Sequence, residues 1–246
     1  MVGVIWLIVG YGVIGYQVDW FVDALAYRNV DRAMPYEGVL GDPGTFPYSP
    51  AAAQFFILLG WIPEPVFLAG WMAMNVAILI WLVRPWPWIA LILALPIARE
   101  LIVGQIELVI AAAIVLGFRR PWLWAVPILT KVSPGVGLVW HAVRREWREL
   151  GIALGATAAI VVVSYVAAPA WWTAWLSFLD ASTSRAPHQL LLLRLGIAGI
   201  LVAWAARTDR LWVIPIGVML ALPVVWLHSP AILIACVRLR TPGSRG

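Results

Sequence analysis

Lys131 is the only lysine in 246 residues, and it stands inside an apolar stretch, Leu129-Thr130-Lys131-Val132-Ser133-Pro134. A cation in such a setting is costly unless it reaches water or a counter-ion, which makes it a functional candidate by default. Its chemistry would be anion binding, with a lipid phosphate as the natural ligand; a snorkelling or structurally paired lysine is the plainer alternative. Asp19 and Asp23 are four residues apart, on one face if a helix runs through both. Partial desolvation and a second carboxylate both raise a carboxyl pKa, so either aspartate is suited to general-base work. A helix end reaching water would carry the same residues without a role. Arg99, Glu100, Gln105 and Glu107 gather around Gly104, His188, Gln189 and Arg194 form another group, and His228 sits in Trp226-Leu227-His228-Ser229-Pro230. A histidine or arginine in such a place can neutralise a phosphate leaving group, although each alone more often caps or packs.

The elements that must position these groups are membrane helices. Hydrophobic residues make up 63% of the chain and charged residues 12%, and there are 17 tryptophans. No soluble domain of this size needs that much apolar surface. Runs such as 152–168 lack the alternation of barrel strands, so the backbone must satisfy itself as helix. The expected fold is all-α: a single integral membrane domain over 1–246, a polytopic transmembrane bundle of about ten spanning or half-spanning helices. These are placed near 2–18, 64–83, 86–99, 104–118, 121–131, 133–143, 149–168, 189–205, 211–226 and 229–239. Residues 19–62 read as a long first extracytoplasmic loop ending in a juxtamembrane helix at 50–62, too short to cross and closed by Pro63 and Pro65. Residues 169–188 read as a second outer loop. Residues 1–18 lack a basic leader region and an Ala-x-Ala site, so they read as an uncleaved first helix.

Charge sets the expected topology. With the N-terminus cytoplasmic, the cytoplasmic breaks hold eleven of the seventeen basic residues, Arg84, Arg119, Arg120, Arg144, Arg145, Arg148, Arg207, Arg210, Arg238, Arg240 and Arg245. The opposite side collects nine of the twelve acids, including Asp19, Asp23, Glu100, Glu107 and Asp180. The positive-inside rule then supports one orientation throughout, with both termini cytoplasmic and the polar residues facing outward from a cell membrane. Acids count little in that rule, so their gathering needs another cause, and an outward polar site is one. The sequence pI near 9.9 is therefore a topology signal and does not imply a nucleic-acid partner.

Several chemistries lack their motifs. No phosphate-cradling glycine loop, zinc spacing or Ser-His-Asp order is visible, and no paired-carboxylate motif demands a divalent metal. The single cysteine, Cys236, allows no intrachain disulfide and reads as a packing residue.

The order of the motifs resembles the GT-C superfamily of polytopic glycosyltransferases that use polyprenyl-phosphate sugars, most closely its bacterial alpha-1,2-mannosyltransferase-like branch. Asp19-Trp20-Phe21-Val22 leading to Pro35-Tyr36 resembles the branch's Asp-containing first loop. Phe46-Pro47-Tyr48-Ser49-Pro50 resembles its Tyr-x-Pro segment, and Gly104-Gln105-Ile106-Glu107 its Gly-Gln-x-Asn element, with Glu107 in place of the usual Asn. Thr130-Lys131-Val132-Ser133-Pro134 resembles its Lys-x-x-Pro segment before a basic loop. His188-Gln189 with Arg194, and Trp226-Leu227-His228, resemble a late Asn-Gln-Ser...Arg element, with His188 in place of Asn, and a Trp-x-His element. The chain is shorter than typical members.

The resemblance implies an outward site in which Asp19, or else Asp23, takes a proton from an acceptor hydroxyl as that oxygen attacks the anomeric carbon of the donor sugar, with inversion. Lys131, Arg194 and His228 would bind the donor phosphate; Asp23, Tyr48, Gln105, Glu107, His188 and Gln189 would contact the substrates. The expected partners are membrane lipids, a polyprenyl-phosphate-linked donor, mannose foremost, and a glycolipid or glycan acceptor. The donor is a substrate, and no cofactor is expected. The alternative is a transporter or flippase of a lipid-linked or small anionic substrate. That role would call for polar groups at mid-depth and a path to the cytoplasmic side, whereas the ionisable residues here avoid the cytoplasmic halves of the helices.

Overall fold

A computed structural model describes residues 20–33, 35–36, 45–84, 86–183 and 188–240. All regular structure among them is helical. Three helices are long and apolar enough to cross a membrane: Glu64–Val83, Trp147–Ala167 and Leu190–Arg207. A fourth span is available if Ala94–Val103 and Glu107–Gly117, which meet at 111°, count as one broken crossing. About ten spanning or half-spanning helices were expected; among the described residues the long apolar helices are fewer, and the difference has a physical origin. The apolar runs at 121–143 and 211–239 are divided into short helices and 3-10 turns, with Pro121, Pro134 and Pro230 inside three of the turns and Pro215 in the first turn of the helix that follows the fourth. Proline removes a backbone donor and clashes with the preceding turn, so an apolar run there does not form one long continuous helix. The expected helix at 2–18 lies outside the described residues.

In chain order the helices are α1 (Val22–Arg28), α2 (Pro50–Leu59), α3 (Glu64–Val83), α4 (Ala94–Val103), α5 (Glu107–Gly117), α6 (Ala125–Lys131), α7 (Val139–Val143), α8 (Trp147–Ala167), α9 (Pro169–Thr183), α10 (His188–Arg207), α11 (Ile214–Ala221) and α12 (Ala235–Arg240). A short turn, Ile89–Ile92, precedes α4. The segment 169–188, expected as a loop, is largely the helix α9. Its start fits the rules for helix entry, since Pro169 stands in the first turn, where its missing N–H has no intrahelical partner to lose. The juxtamembrane segment expected at 50–62 is the shorter α2, started by Ser49, whose side chain accepts from the Ala52 N–H at 3.4 Å, and by Pro50 at the first helical position.

The spanning helices α8 and α10 present most of their surface outward; Val163 and Val166 are 71% and 77% exposed. In lipid such faces need no cover. The core lies where the shorter elements meet. Tyr27 stacks on Phe56 with centroids 4.9 Å apart and meets Trp71 edge-on at 5.5 Å, tying α1 to α2 and α3. Pairs of this kind each contribute roughly 0.5–1.5 kcal/mol beyond area burial.

Candidate functional site

The bend between α4 and α5 builds the site. Gly104 closes α4 in the left-handed region at φ 72°, and its N–H bonds the Glu100 carbonyl at 3.0 Å. A Cβ at this position would meet the Ala24 Cβ at 2.6 Å, so only glycine lets α1 come this close. Two further contacts fix the approach. The Phe21 N–H bonds the Ile102 carbonyl at 2.8 Å, and the Trp71 indole N–H bonds the Gly104 carbonyl at 2.8 Å. The result is that Gln105 and Glu107 face Asp23 and Tyr27.

Gln105 is held by its oxygen. Its Oε1 accepts from the Tyr27 hydroxyl at 2.8 Å, and the Tyr48 hydroxyl stands 3.2 Å from Oε1 and 2.8 Å from the Tyr27 hydroxyl. With the oxygen turned to the tyrosines, the amide N–H faces Asp23, to which Gln105 is hydrogen-bonded. Burial pushes the Asp23 carboxyl up to about 6; the Gln105 bond opposes that rise, Glu107 adds to it, and Lys131 and Arg99 pull the other way. Tyr27 and Tyr48 are raised well above the usual phenol range, burial being the main cause, so both are neutral donors.

Glu107 and Lys131 form the charged centre. Lys131 Nζ lies 2.5 Å from Glu107 Oε1, and the glutamate side chain is fully buried. His228 Nε2 approaches the same oxygen at 3.5 Å without a hydrogen bond. Burial is the main cause that pulls the His228 imidazole down to about 4, so it is neutral at pH 7, and no ion pair with Glu107 exists there. Lys131 ends α6, and the next residue, Val132, has φ 57° and ψ −59°. For a β-branched residue this is a true outlier, costing about 1–3 kcal/mol, and it lies beside the charged centre. Glu100 is also fully buried; its Oε1 accepts from the Leu108 N–H at 3.1 Å and caps the start of α5. Four buried atoms here, Glu100 Oε2, Glu107 Oε2, His228 Nε2 and Ser133 Oγ, lack a hydrogen-bond partner among the described residues.

Of the residues singled out in the sequence, Asp23, Tyr48, Gln105, Glu107, Lys131 and His228 are thus brought together. Asp19 lies outside the described residues. His188 and Gln189 open α10, and their side chains lie outside the description. Arg194 stands apart: its Nε donates to the Leu220 carbonyl at 3.0 Å and its Nη2 to the Leu222 carbonyl at 2.5 Å, capping the end of α11. No hydrogen bond or ion pair among the described residues joins it to Lys131 or His228. Tyr27 is the functional neighbour that sequence reasoning missed. Its spacing of four from Asp23, on the same helical face, was the available signal. Among the described residues, no three His, Cys, Asp or Glu side chains stand close enough to share a metal ion.

Fold and site together define a helical membrane protein with a buried polar centre. The model of glycosyltransferase family 87 matches residues 46–242, most of the chain, and the chain belongs to this GT-C-like family. That membership supports a membrane glycosyltransferase. No curated protein and no solved structure matches the chain. The match takes in Tyr48, Gln105, Glu107, Lys131, Arg194 and His228 and begins after Asp19 and Asp23.

Proposed function

We propose that the protein transfers a sugar, mannose foremost, from a polyprenyl-phosphate donor to a lipid or glycan acceptor at the extracytoplasmic face of the cell membrane. One observation carries this reading. In a family of glycosyltransferases, the only lysine of the chain sits at a buried centre with Glu107 and His228, next to a carboxylate whose pKa burial has moved to about 6. A phosphate needs the first feature and an acceptor hydroxyl the second.

In the proposed reaction the acceptor oxygen attacks the anomeric carbon, the bond from that carbon to the phosphate oxygen breaks, and the acceptor proton passes to an aspartate. Asp19 has that role from its place in the motif. Asp23, fixed by Gln105, orients the acceptor and is the second candidate for the base. Charge grows on the departing phosphate, and Lys131 stabilises it as a cation while neutral His228 donates a hydrogen bond. Glu107 neutralises Lys131 until the donor arrives and then shares it. Arg194 contributes by holding the turn after α11 that leads to His228, a positioning role in place of the direct phosphate contact expected from the sequence. His188 and Gln189 are assigned to sugar hydroxyls.

The test is transfer of label from polyprenyl-phosphate mannose to a panel of envelope glycolipids in membranes carrying the wild type, Asp19→Asn or Asp23→Asn. Transfer by the wild type that one variant abolishes, with donor binding retained, names the base. Transfer at the wild-type rate by both variants would reject an aspartate base at either position. Absence of transfer by the wild type with every sugar donor supplied would reject the reaction.

A further inference from the structure

The far end of α5 carries a second concentration of charge, which the transfer reaction does not use. Glu107 opens the helix, and roughly 16 Å later it ends near Arg119. There Arg84 follows the last residue of α3, and Arg238 donates Nε to the Trp81 carbonyl at 2.8 Å with its guanidinium 4.9 Å over the Trp81 ring. Arg240 lies 5.9 Å from the Trp86 ring and 5.7 Å from the Trp212 ring. Partial burial, with Arg84 and Arg119 close by, pulls the Arg238 pKa down. Arg84 and Arg240 are exposed and make no hydrogen bond or ion pair to any described residue. The C-termini of α3, α5 and α12 meet in this region, and their partial negative charges offset the guanidiniums only in part.

An apolar surface adjoins this cluster. Trp86 and Ile89 pack with Trp81 against the buried Leu82 and Ile234. The turn Ile89–Ile92 buries none of its own residues, and Trp88, Leu91 and Ile92 are more than half exposed. A soluble anion would satisfy the arginines alone, whereas that surface, like the outer faces of α8 and α10, belongs against hydrocarbon. A molecule with a phosphate at one end and hydrocarbon at the other satisfies both.

We propose that this end of the molecule binds anionic phospholipid, with the headgroup phosphate among Arg84, Arg238 and Arg240 and the acyl chains against Trp88, Leu91 and Ile92. Guanidinium suits the task because it pairs with phosphate through several donors and keeps its charge when partly buried. The test reconstitutes the full chain in phosphatidylcholine vesicles and measures, by electron paramagnetic resonance, the motionally restricted fraction of spin-labelled phosphatidylglycerol and phosphatidylcholine. The wild type restricts the anionic label about threefold more strongly, and Arg84→Gln/Arg240→Gln at least halves that preference, since each arginine at an anionic lipid surface is worth about fivefold at most. Arg32→Gln, beside Trp61 near the start of α3, leaves it unchanged. Equal restriction of both labels by the wild type, or full preference retained in the double variant, overturns the proposal. So does a preference that inorganic phosphate removes and chloride at equal ionic strength does not, which would assign the cluster to a soluble anion.

Discussion

At the start of α5 the charged side chains are buried and answer one another, Glu107 being fully buried and Lys131 nearly so. At its end the guanidiniums lie on tryptophan rings, Arg238 partly buried over Trp81 and Arg240 exposed beside Trp86. Charge therefore has two different energetics at the two ends of one short helix. A buried pair is held by geometry, because losing either partner strands the other in a medium that cannot solvate it. An exposed arginine over an aromatic ring gains little from its neighbours and stays available to an outside anion. The first arrangement suits a reaction centre and the second a surface.

The comparison is most easily broken at Lys131. Lys131→Met leaves Glu107 buried without its cation and should cost about 3–5 kcal/mol, whereas Arg84→Gln should stay within about 0.5 kcal/mol of wild type. Unfolding in mixed micelles measures both. The double variant Lys131→Met/Glu107→Met removes both charges and should recover most of the stability while sugar transfer stays lost. If Lys131→Met were no worse than Arg84→Gln, the two ends would not differ as argued. Gly104→Ala comes next, at about 2–4 kcal/mol, from a left-handed backbone and the approach of Ala24.

Asp23 sharpens the comparison through pH. Its carboxyl titrates near 6 in the folded protein and near 4 when unfolded, so folding favours the protonated form. Stability is therefore undiminished below pH 4, falls as pH rises from 4 to 6, and is constant above; the loss is on the order of 3 kcal/mol. Asp23→Asn should flatten stability across that window, read from unfolding at several pH values. If Asp23 must be ionised to accept from the acceptor, transfer should rise through pH 6 in the wild type.

How far these features were legible in the sequence follows from what sets them. The long helices α3, α8 and α10 stood out because an uninterrupted apolar run has only one way to satisfy its backbone in lipid. The runs around Pro121, Pro134, Pro215 and Pro230 looked equally apolar, and hydropathy does not register the broken backbone that makes them short. The helix α9 was hidden because its 15 residues fall short of a crossing, so 169–188 read as an outer loop. Lys131 was conspicuous because its chemistry contradicts its neighbours. Tyr27 was not, since a tyrosine in an aromatic-rich segment reads as core, and only the close approach at Gly104 turns its hydroxyl onto Gln105. Arg194 read as a phosphate ligand from its place in the late motif, and only the fold shows its Nε and Nη2 donating to the Leu220 and Leu222 carbonyls that end α11.

The smallest effect tests whether the buried end works as a network. The Tyr27 and Tyr48 hydroxyls share two protons, and in either arrangement one of them reaches Gln105 Oε1. Tyr48→Phe leaves Tyr27 as donor, and Tyr27→Phe leaves Tyr48, so each alone should cost about 1 kcal/mol or less. Tyr27→Phe/Tyr48→Phe leaves Oε1 with only the Ile106 N–H at 3.3 Å, and its cost should exceed the sum of the two singles. The pH profile separates a network from simple packing. With the amide free to turn, the bond that opposes the rise in the Asp23 pKa is weakened, and the step in transfer rate should move above pH 6 in the double variant while each single variant keeps it. A double variant that is merely less stable, with the step unmoved, would make the tyrosines packing residues and leave Asp23 to be tuned by burial alone.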